Sequence, residues 1–372
     1  MEIDTAFILE ILGRRVKSFC DEPERVSGRR VLITGAAGSI GRALAVRLAR
    51  LNPRSLSLLD SSDHGLVETL NTLERLAPKT QVWERLCDVR DLSRLDTIFE
   101  SDQPDLVIHA AALKHVSLGE RHPGECVLTN LIGTRNVLAA LRALGRGRFV
   151  LVSTDKAASP KSVIGACKRL AELHVSNAGF DANGIQPVVV RFGNVFGSRG
   201  SVVPIFLDRI QRGSPVTITH PGMERFFMLC EEAVDLILHA STAEFSHGQW
   251  TLLVPDMGQP LSIVKLAQAM VERLTPIAQA PSQIVIRGED GSENLVERLH
   301  DERELLFPAA ADGLWSIRPV SPPAPPTDVQ LADIELIART GEDAAVRERV
   351  FSLLRQALAG ECGEPVEALK VS

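Results

Sequence analysis

The 372-residue sequence contains no tyrosine, which excludes any mechanism that needs a phenol from this chain. It also lacks a Cys-x-x-Cys pair, a zinc-ligand spacing and a long basic tract; its six cysteines are scattered and its formal net charge is -6. Scattered thiols without a pairing pattern are typical of a reducing cytoplasm, and an acidic balance argues against nucleic acid as a partner. We therefore expect a cytoplasmic protein with no bound metal ion.

No apolar run in the sequence has the length of a membrane span. The most apolar N-terminal segment, residues 6–12, is broken by Glu10 and followed by Arg14 and Arg15. A spanning helix needs about 20 apolar residues, and a signal peptide needs a longer apolar stretch than this one. We expect neither a membrane span nor a signal peptide.

What the sequence does contain is a glycine-rich segment directly after its first apolar run. Residues 31–33 are typical of a parallel strand buried on both faces, and three glycines follow at three-residue intervals. This spacing lets the backbone turn tightly, approach a pyrophosphate and pack a new helix against the sheet. Ser39 is placed to cap the first turn of that helix. The residues expected to bind a dinucleotide here are Gly35, Gly38, Ser39, Ile40 and Gly41.

Apolar strands alternate with amphipathic helices after this loop, which predicts a Rossmann fold: an α/β doubly wound parallel sheet with a smaller C-terminal substrate-capping α/β subdomain. The expected strands are 31–34, 55–60, 81–86, 106–110, 148–153 and 187–191. The expected divisions are an N-terminal helix and connector (1–29), an NAD-binding domain that later segments rejoin (30–199), a substrate-binding subdomain (200–318), a proline-rich linker (319–327) and C-terminal helices (328–372).

Asp60 ends the second predicted strand, about 25 residues after Gly35, where an acid accepts hydrogen bonds from an adenosine ribose and repels a 2′-phosphate. This position favours NAD over NADP, although Asp60 is also placed to cap the helix that follows. Other cofactor contacts are expected where further strands end, since ligands of such sheets bind at the carboxyl ends. These residues are Asp88, Val89, Ala110, Ala111, Ala112, Lys114, Ser153 and Phe192.

Five motifs, in order, carry a family likeness: T-G-A-A-G-S-I-G, H-A-A-A-L-K-H-V, S-T-D-K-A, R-F-G-N-V-F-G-S-R-G-S-V-V-P and T-H-P-G-M-E-R-F-F-M. From about residue 12 to residue 299 the chain resembles the extended short-chain dehydrogenase/reductase branch that contains bacterial UDP-N-acetylglucosamine 4,6-dehydratases of capsule, flagellin-glycan and O-antigen synthesis. Many relatives carry N-terminal membrane helices, and the chain resembles their cytoplasmic catalytic part.

The resemblance implies an NAD-dependent dehydratase acting on a UDP-sugar, with three consecutive residues at the reacting carbons. Thr154 would sit at the C4 hydroxyl, Asp155 would protonate the leaving C6 hydroxyl, and Lys156 would remove the C5 proton. Lys156 must be neutral to act as a base, and we expect the nearby ammonium of Lys168 to lower its pKa by like-charge repulsion. Lys168 itself would hold the nicotinamide ribose, one helical turn after Ile164.

The resemblance also implies the substrate contacts and reveals two departures from the family pattern. The expected contacts are Lys114, His115, Asn194, Val203, Pro204 and Arg225; for His115 a structural hydrogen bond is an equal alternative. Most short-chain dehydrogenases have tyrosine at position 164, and membrane-bound relatives have methionine, whereas this chain has isoleucine. A family arginine that grips the diphosphate corresponds to Asp290 unless Arg287 takes its place, and Glu293 of the same motif is retained.

Three functions remain compatible with these residues. The leading one is the 4,6-dehydratase, the second is an epimerase or 4-reductase on the same scaffold, and the third is a catalytically weak NAD-binding module used in regulation. We expect a homo-oligomer, with the helices within 120–144 and 162–177 as the dimer surface.

Overall fold

The apolar runs of the sequence pair into one large sheet. The computed structural model describes residues 4–76, 80–177, 184–244, 251–275, 283–288, 291, 293–321 and 323–359. The strands are β1 (Arg30–Thr34), β2 (Ser55–Asp60), β3 (Val82–Leu86), β4 (Leu106–His109), β5 (Gly147–Val152), β6 (Ile185–Val190), β7 (Asn194–Val195), β8 (Val216–Ile218), β9 (Glu224–Arg225), β10 (Phe227–Met228), β11 (Leu252–Pro255), β12 (Leu261–Ser262), β13 (Ile284–Ile286), β14 (Glu304–Pro308) and β15 (Leu314–Pro319).

The helices that flank the strands follow the expected alternation. They are α1 (Thr5–Leu12), α2 (Ser39–Ala49), α3 (Asp63–Leu76), α4 (Leu92–Asp102), α5 (Val116–Arg121), α6 (Pro123–Cys126), α7 (Gly133–Ala143), α8 (Val163–Asn177), α9 (Val202–Gln211), α10 (Cys230–Thr242), α11 (Ile263–Leu274), α12 (Asp328–Thr340) and α13 (Asp343–Ala359). A π-helical turn (Val127–Ile132) joins α6 to α7, and 3₁₀ turns cover Pro23–Val26 and Asp155–Ala157. No helix among the described residues combines the length and apolarity that a bilayer crossing requires.

Within the described residues the main sheet has the strand order β14-β15-β11-β6-β5-β4-β1-β2-β3. In this order, the seven neighbouring strands that begin with β11 and end with β3 run parallel. Strands β15 and β14 extend the sheet beyond β11 in antiparallel pairing. Residues of β1 and β4 are buried on both faces of the sheet, which explains their continuous apolar sequences. The predicted Rossmann fold is confirmed, and the six predicted strands agree with the observed ones within two residues at each end. Strand order reverses between β1 and β4, so a ligand crevice is expected there.

The segment after residue 200 builds a cap and then returns to the sheet. A separate apolar core contains Phe7 of α1 together with Phe206 of α9 and Leu266 of α11. The same segment supplies β11, β14 and β15 to the main sheet, and α10 packs against α2. The cap and the cofactor domain are therefore interleaved along the chain.

The two C-terminal helices cover the face that the sequence suggested as a dimer surface. Helix α13 packs against α8, and α12 packs against the π-helical turn. Arg135 of α7 pairs with Glu335 of α12 at 2.7 Å, and Arg347 of α13 pairs with Glu120 of α5 at 3.0 Å. The predicted dimer surface is wrong in this respect, since its apolar side is buried within one chain.

Candidate active site

A cleft of about 1140 Å³ lies at the carboxyl ends of β1, β4, β5 and β6 and extends under the cap. Every residue predicted to bind the cofactor lines it. These are Gly35, Gly38, Ser39, Ile40, Gly41, Asp60, Asp88, Val89, Ala110, Ala111, Ala112, Lys114, Ser153, Lys168 and Phe192. The crevice therefore forms where the strand order reverses, as expected.

The glycine loop is held by backbone contacts that admit no side chain at two positions. Gly35 has a φ of 70°, and a Cβ there would lie 2.6 Å from the amide nitrogen of Ala111. A Cβ on Gly41 would lie 2.1 Å from the carbonyl oxygen of Gly35. Gly38 is less constrained, with a virtual Cβ 3.2 Å from that oxygen, and it is the N-cap of α2. The loop is thus the tight cradle that a pyrophosphate needs.

Ser39 is the first residue of α2, and its side chain does not cap the helix, so that prediction is wrong. Its Oγ accepts a hydrogen bond from the backbone N–H of Arg199 at 3.0 Å. Arg199 also pairs with Glu68 of α3 at 2.6 Å, and its carbonyl oxygen accepts a hydrogen bond from Lys114 Nζ. The segment 197–201 is therefore fastened across the glycine loop.

The carboxylate of Asp60 is fixed at the edge of the glycine loop. Its Oδ2 accepts from the N–H of Ala37 and its Oδ1 from the N–H of Ser62, both at 2.9 Å. The second bond forms a turn ahead of α3, whose first turn is capped by Ser62: its Oγ accepts from the N–H of Gly65 at 3.2 Å. The capping role considered for Asp60 is therefore wrong, and its carboxylate lines the cleft.

A buried polar chain supports the alanine loop after β4. His109 Nδ1 and Thr34 Oγ1 are 2.7 Å apart, and His109 Nε2 and Thr134 Oγ1 are 3.0 Å apart. Burial lowers the pKa of His109 to about 3, with a smaller effect of Lys168, so the ring is neutral. The side chain of Asn130 accepts from the N–H of Leu113 at 2.8 Å and donates to its carbonyl at 2.9 Å. Sequence reasoning missed Asn130, for which a polar residue within the apolar run L-T-N-L-I is the available signal.

The three residues assigned to proton transfer meet beside this cleft. Thr154 Oγ1 donates to Asp155 Oδ1 at 2.9 Å, and Lys156 Nζ donates to the same oxygen at 3.0 Å. Thr154 and Lys156 line the cleft, whereas Asp155 lies beneath them with 1% of its surface exposed. Its Oδ2 is buried without a hydrogen-bond partner among the described residues.

Lys156 has an electrostatic environment opposite to the expected one. Burial alone would lower its pKa, but the carboxylates of Asp155 and Glu297 outweigh burial and the smaller effect of Arg225, so the pKa is raised. The prediction that Lys168 lowers the pKa of Lys156 is wrong. The pKa of Lys168 itself is lowered, to about 8, mainly by burial.

Ile164 and Lys168 line the cleft together, as expected for residues one helical turn apart. The ammonium of Lys168 donates to the carbonyl of Val152 at 2.9 Å. Ile164 is buried and occupies the space beside Gly119, where an added Cβ would lie 2.8 Å from its Cγ1. A hydrocarbon thus fills the position that holds the phenol in most short-chain dehydrogenases.

Two arginines and two glutamates form a buried cluster behind Ser153, which donates to Glu172 Oε1 at 2.6 Å. Arg191 pairs with Glu172 at 2.6 Å and with Glu304 of β14 at 2.8 Å. Arg169 pairs with Glu304 at 2.5 Å and with Glu172 at 3.2 Å. The four charges sum to zero, and each residue is at most 5% exposed. The cluster therefore ties the ends of β5 and β6 to the antiparallel edge of the sheet.

Of the residues predicted to bind substrate, Lys114, His115, Asn194 and Arg225 line the cleft. Val203 and Pro204 do not line it, so their assignment is wrong. Helix α9 turns another face toward the cleft, consisting of Val202, Ile205, Phe206 and Arg209. These positions are spaced at i, i+3, i+4 and i+7, which is one face of a helix.

Arg225 and the later part of the cap complete the cleft. The guanidinium of Arg225 donates to the carbonyls of Asn294 at 2.8 Å and Leu295 at 3.1 Å and pairs with Glu293 at 2.8 Å. Asp290 lies outside the described residues. Arg287 is exposed and lines the cleft. Arg209 also lines the cleft, and sequence reasoning missed it. Among the described residues, no group of three or more His, Cys, Asp or Glu side chains is arranged to hold a metal ion.

Comparisons with known proteins agree with this geometry. A family model described as polysaccharide biosynthesis protein matches residues 31–315. The probable polysaccharide biosynthesis protein EpsC of Bacillus subtilis (strain 168) is 37% identical over 322 residues, which are 83% of this chain and 53% of EpsC. The chain thus spans about half the length of that relative.

Two further proteins are similar to this chain. UDP-glucose 4-epimerase of Rickettsia akari (strain Hartford) is 34% identical over 247 residues, which are 65% of this chain and 70% of the epimerase. The X-ray structure of Pen from Bacillus thuringiensis superposes with a TM-score of 0.70 at 28% identity, covering 79% of this chain and 87% of that one. The resemblance inferred from the motifs is confirmed: the chain belongs to the polysaccharide biosynthesis protein family, with the fold of the extended short-chain dehydrogenases/reductases.

Proposed function

We propose that the chain is an NAD-dependent nucleotide-sugar 4,6-dehydratase that converts UDP-N-acetylglucosamine into a UDP-4-keto-6-deoxy sugar for bacterial surface polysaccharide. The observation that carries the proposal is that Thr154 and Lys156, which line the cleft, both donate hydrogen bonds to Asp155 directly beneath them. They supply the hydroxyl, carboxyl and amine that the reaction needs, within hydrogen-bond reach of one another. The buried free cysteines fit a cytoplasmic setting.

The residues of the cleft fit NAD. The backbone of the glycine loop leaves no room for a Cβ at Gly35 or Gly41, which is the close approach that a pyrophosphate requires. The carboxylate of Asp60 would accept from ribose hydroxyls and repel a 2′-phosphate, and the ammonium of Lys168 would bind the other ribose. Bound NAD would supply a hydride acceptor for sugar C4 and return the hydride at C6.

The chain's own groups would move the protons. Thr154 takes the proton of the C4 hydroxyl and passes one to Asp155, whose Oδ1 already accepts from it at 2.9 Å. Asp155 then protonates the departing C6 hydroxyl, which leaves as water. Lys156, as a neutral amine, removes the C5 proton and later returns one to C5. The protons balance, and the net change is the loss of one water.

Three polar side chains would hold the substrate diphosphate. Asn194, Arg209 and Arg287 line the same cleft, and guanidinium groups suit paired phosphate oxygens. Arg287 would take the place of the arginine that the family motif lacks here, since the guanidinium of Arg225 is already bonded to Glu293 and to backbone carbonyls.

The proposal is tested by incubating the purified protein with UDP-N-acetylglucosamine in deuterium oxide. We expect a product lighter by one water than the substrate, apart from deuterium at C5. Lys156→Met should abolish the C5 label, and Lys265→Met, an exposed lysine of α11, should leave it intact. A label that persists in Lys156→Met removes Lys156 from its assigned role.

A second candidate is a 4-epimerase, which the similarity to the Rickettsia enzyme favours. The C4 step requires only Thr154, Lys168 and the cofactor. In the same experiment an epimerase gives an isomer of unchanged mass with no carbon-bound deuterium at C5, and a regulatory NAD-binding module gives no product.

A further inference from the structure

Glu297 brings a buried carboxylate to Lys156 from a distant part of the chain. It follows β13 in the cap, is 2% exposed, and its Oε1 lies 3.6 Å from Lys156 Nζ. Its Oε2 accepts from Asn294 Nδ2 at 3.2 Å. A glutamate this far from water is costly unless it is paired, and Lys156 is its nearest cation.

The segment that carries Glu297 is fixed over the loop that carries Lys156. Asn294 Nδ2 also donates to the carbonyl of Ser159 at 3.2 Å, three residues after Lys156. On the other side, the N–H of Glu224 donates to the carbonyl of Leu295 at 2.8 Å. Glu297 therefore cannot withdraw from Lys156 without loss of these bonds.

The charged groups around Lys156 come from three elements. Asp155 precedes it in its own loop, Glu297 comes from the cap, and Arg225 of β9 lies 3.9 Å from Glu297. A small cavity of about 10 Å³ adjoins them and is lined by one apolar residue, Val116, and by the polar residues Lys156, Lys161, Ser162, Glu293, Asn294 and Glu297. This is about the space of one water molecule with several polar partners.

We infer that Glu297 is a positioning residue for Lys156: its carboxylate holds the ammonium in place at rest and sets the pH above which the neutral amine is free to take the C5 proton. The inference rests on the proposed function. At 3.6 Å the two groups form an ion pair and not a hydrogen bond, so the proton of Lys156 Nζ leaves to solvent and not directly to Glu297. The hydrogen bond from Nζ to Asp155 Oδ1 at 3.0 Å does not involve Glu297 and should remain when Glu297 is changed.

The test compares Glu297→Gln, Glu297→Asp and the exposed control Glu302→Gln across pH. Exchange of the C5 proton should rise with pH as Lys156 loses its proton. Glutamine removes a negative charge that raises the pKa of Lys156, so this limb should move about one pH unit lower. The plateau rate should change little, because Lys156 is already neutral there. Aspartate should restore much of the shift, and Glu302→Gln should resemble the unaltered protein.

A second measurement does not require turnover. Labelling of Lys156 by acetic anhydride, followed by peptide mass spectrometry, reports the neutral amine directly, and its midpoint should be lower in Glu297→Gln. An unchanged midpoint overturns the inference, even if the variant is slow. If the unaltered protein exchanges no C5 proton, the dehydratase proposal has failed, and the labelling midpoint still decides whether Glu297 controls Lys156.

Discussion

The ammonium of Lys168 and the carbonyl oxygen of Val152 are joined by a hydrogen bond of 2.9 Å at the floor of the cleft. Lys168 is 5% exposed, and burial lowers its pKa to about 8. The unfolded chain keeps this lysine protonated up to its ordinary pKa, so between pH 8 and 10.5 the unfolded state binds more protons. The cofactor-free protein should therefore gain stability as pH rises through that window.

Lys168→Met should remove this cost while weakening NAD binding. Near pH 7 we expect the free energy of unfolding to rise by roughly 1–3 kcal/mol, offset in part by the lost hydrogen bond. Urea unfolding of the cofactor-free protein at pH 7 and pH 10, with Lys265→Met as control, measures the effect. A variant less stable than the unaltered protein at pH 7 contradicts the argument.

Thr154, and not position 164, should govern the oxidation at C4. Thr154→Val removes the hydroxyl that contacts Asp155 and should lower kcat by about 10²- to 10⁴-fold. Ile164→Met exchanges one hydrocarbon for another of similar volume and should change kcat only a few-fold. Steady-state kinetics of both variants test this, and a large effect at position 164 alone would reverse the assignment.

Alanine substitutions at two positions of the glycine loop, 35 and 38, should impair the protein for different reasons. Gly35→Ala places a side chain 2.6 Å from backbone at a φ of 70°, so we expect a loss of about 3 kcal/mol or more, or no folded protein. Gly38→Ala meets only one oxygen at 3.2 Å and should fold, but its methyl group faces the pyrophosphate and should weaken NAD binding at least about tenfold. Thermal unfolding and NAD titration separate the two effects.

Arg199 should slow the release of NAD. Its backbone and side chain fasten the segment 197–201 to Ser39 and Glu68, and the glycines at 197 and 200 have φ values of 69° and 68° that let the segment hinge. Arg199→Ala should accelerate NAD dissociation by about two- to fivefold, because the ion pair is exposed. Salt should accelerate release from the unaltered protein and have less effect on the variant.

The control for this prediction is Arg298→Ala, which breaks an exposed pair with Glu302. Dissociation is followed by displacement of bound cofactor in the absence of sugar. Equal release rates for the unaltered protein and Arg199→Ala would show that the segment does not retain NAD.

The sheet and the cofactor side of the cleft could be predicted because their signals are local. Three glycines at fixed spacing and an acid after the next strand occupy few residues, and a parallel sheet brings strand ends together. Thr154 and Lys156 were found in this way. The helix α9 residues were partly missed, since a motif quoted as S-V-V-P does not tell which helical face is turned inward.

The electrostatic environment of the site could not be fully predicted because two of the glutamates that pair with its cations are distant from them in sequence. Glu297 reaches Lys156 across about 140 residues, and Glu304 reaches Arg191 across 113 residues. No local pattern marks either glutamate as a partner. The expectation for the pKa of Lys156 failed because two carboxylates outweigh burial and raise this pKa: the adjacent Asp155 and, from the cap, Glu297.

Helices α12 and α13 lie beyond residue 315, where the family match ends, yet they bury Leu331, Ile334, Val350 and Leu353 against the matched region. A chain shortened to the matched region would keep every residue to which a chemical role is assigned, but it would expose a broad apolar surface to solvent. Such a truncated protein should precipitate or associate with itself. The shortest form of this chain that stays in solution is therefore set by α12 and α13 and not by the residues of the cleft.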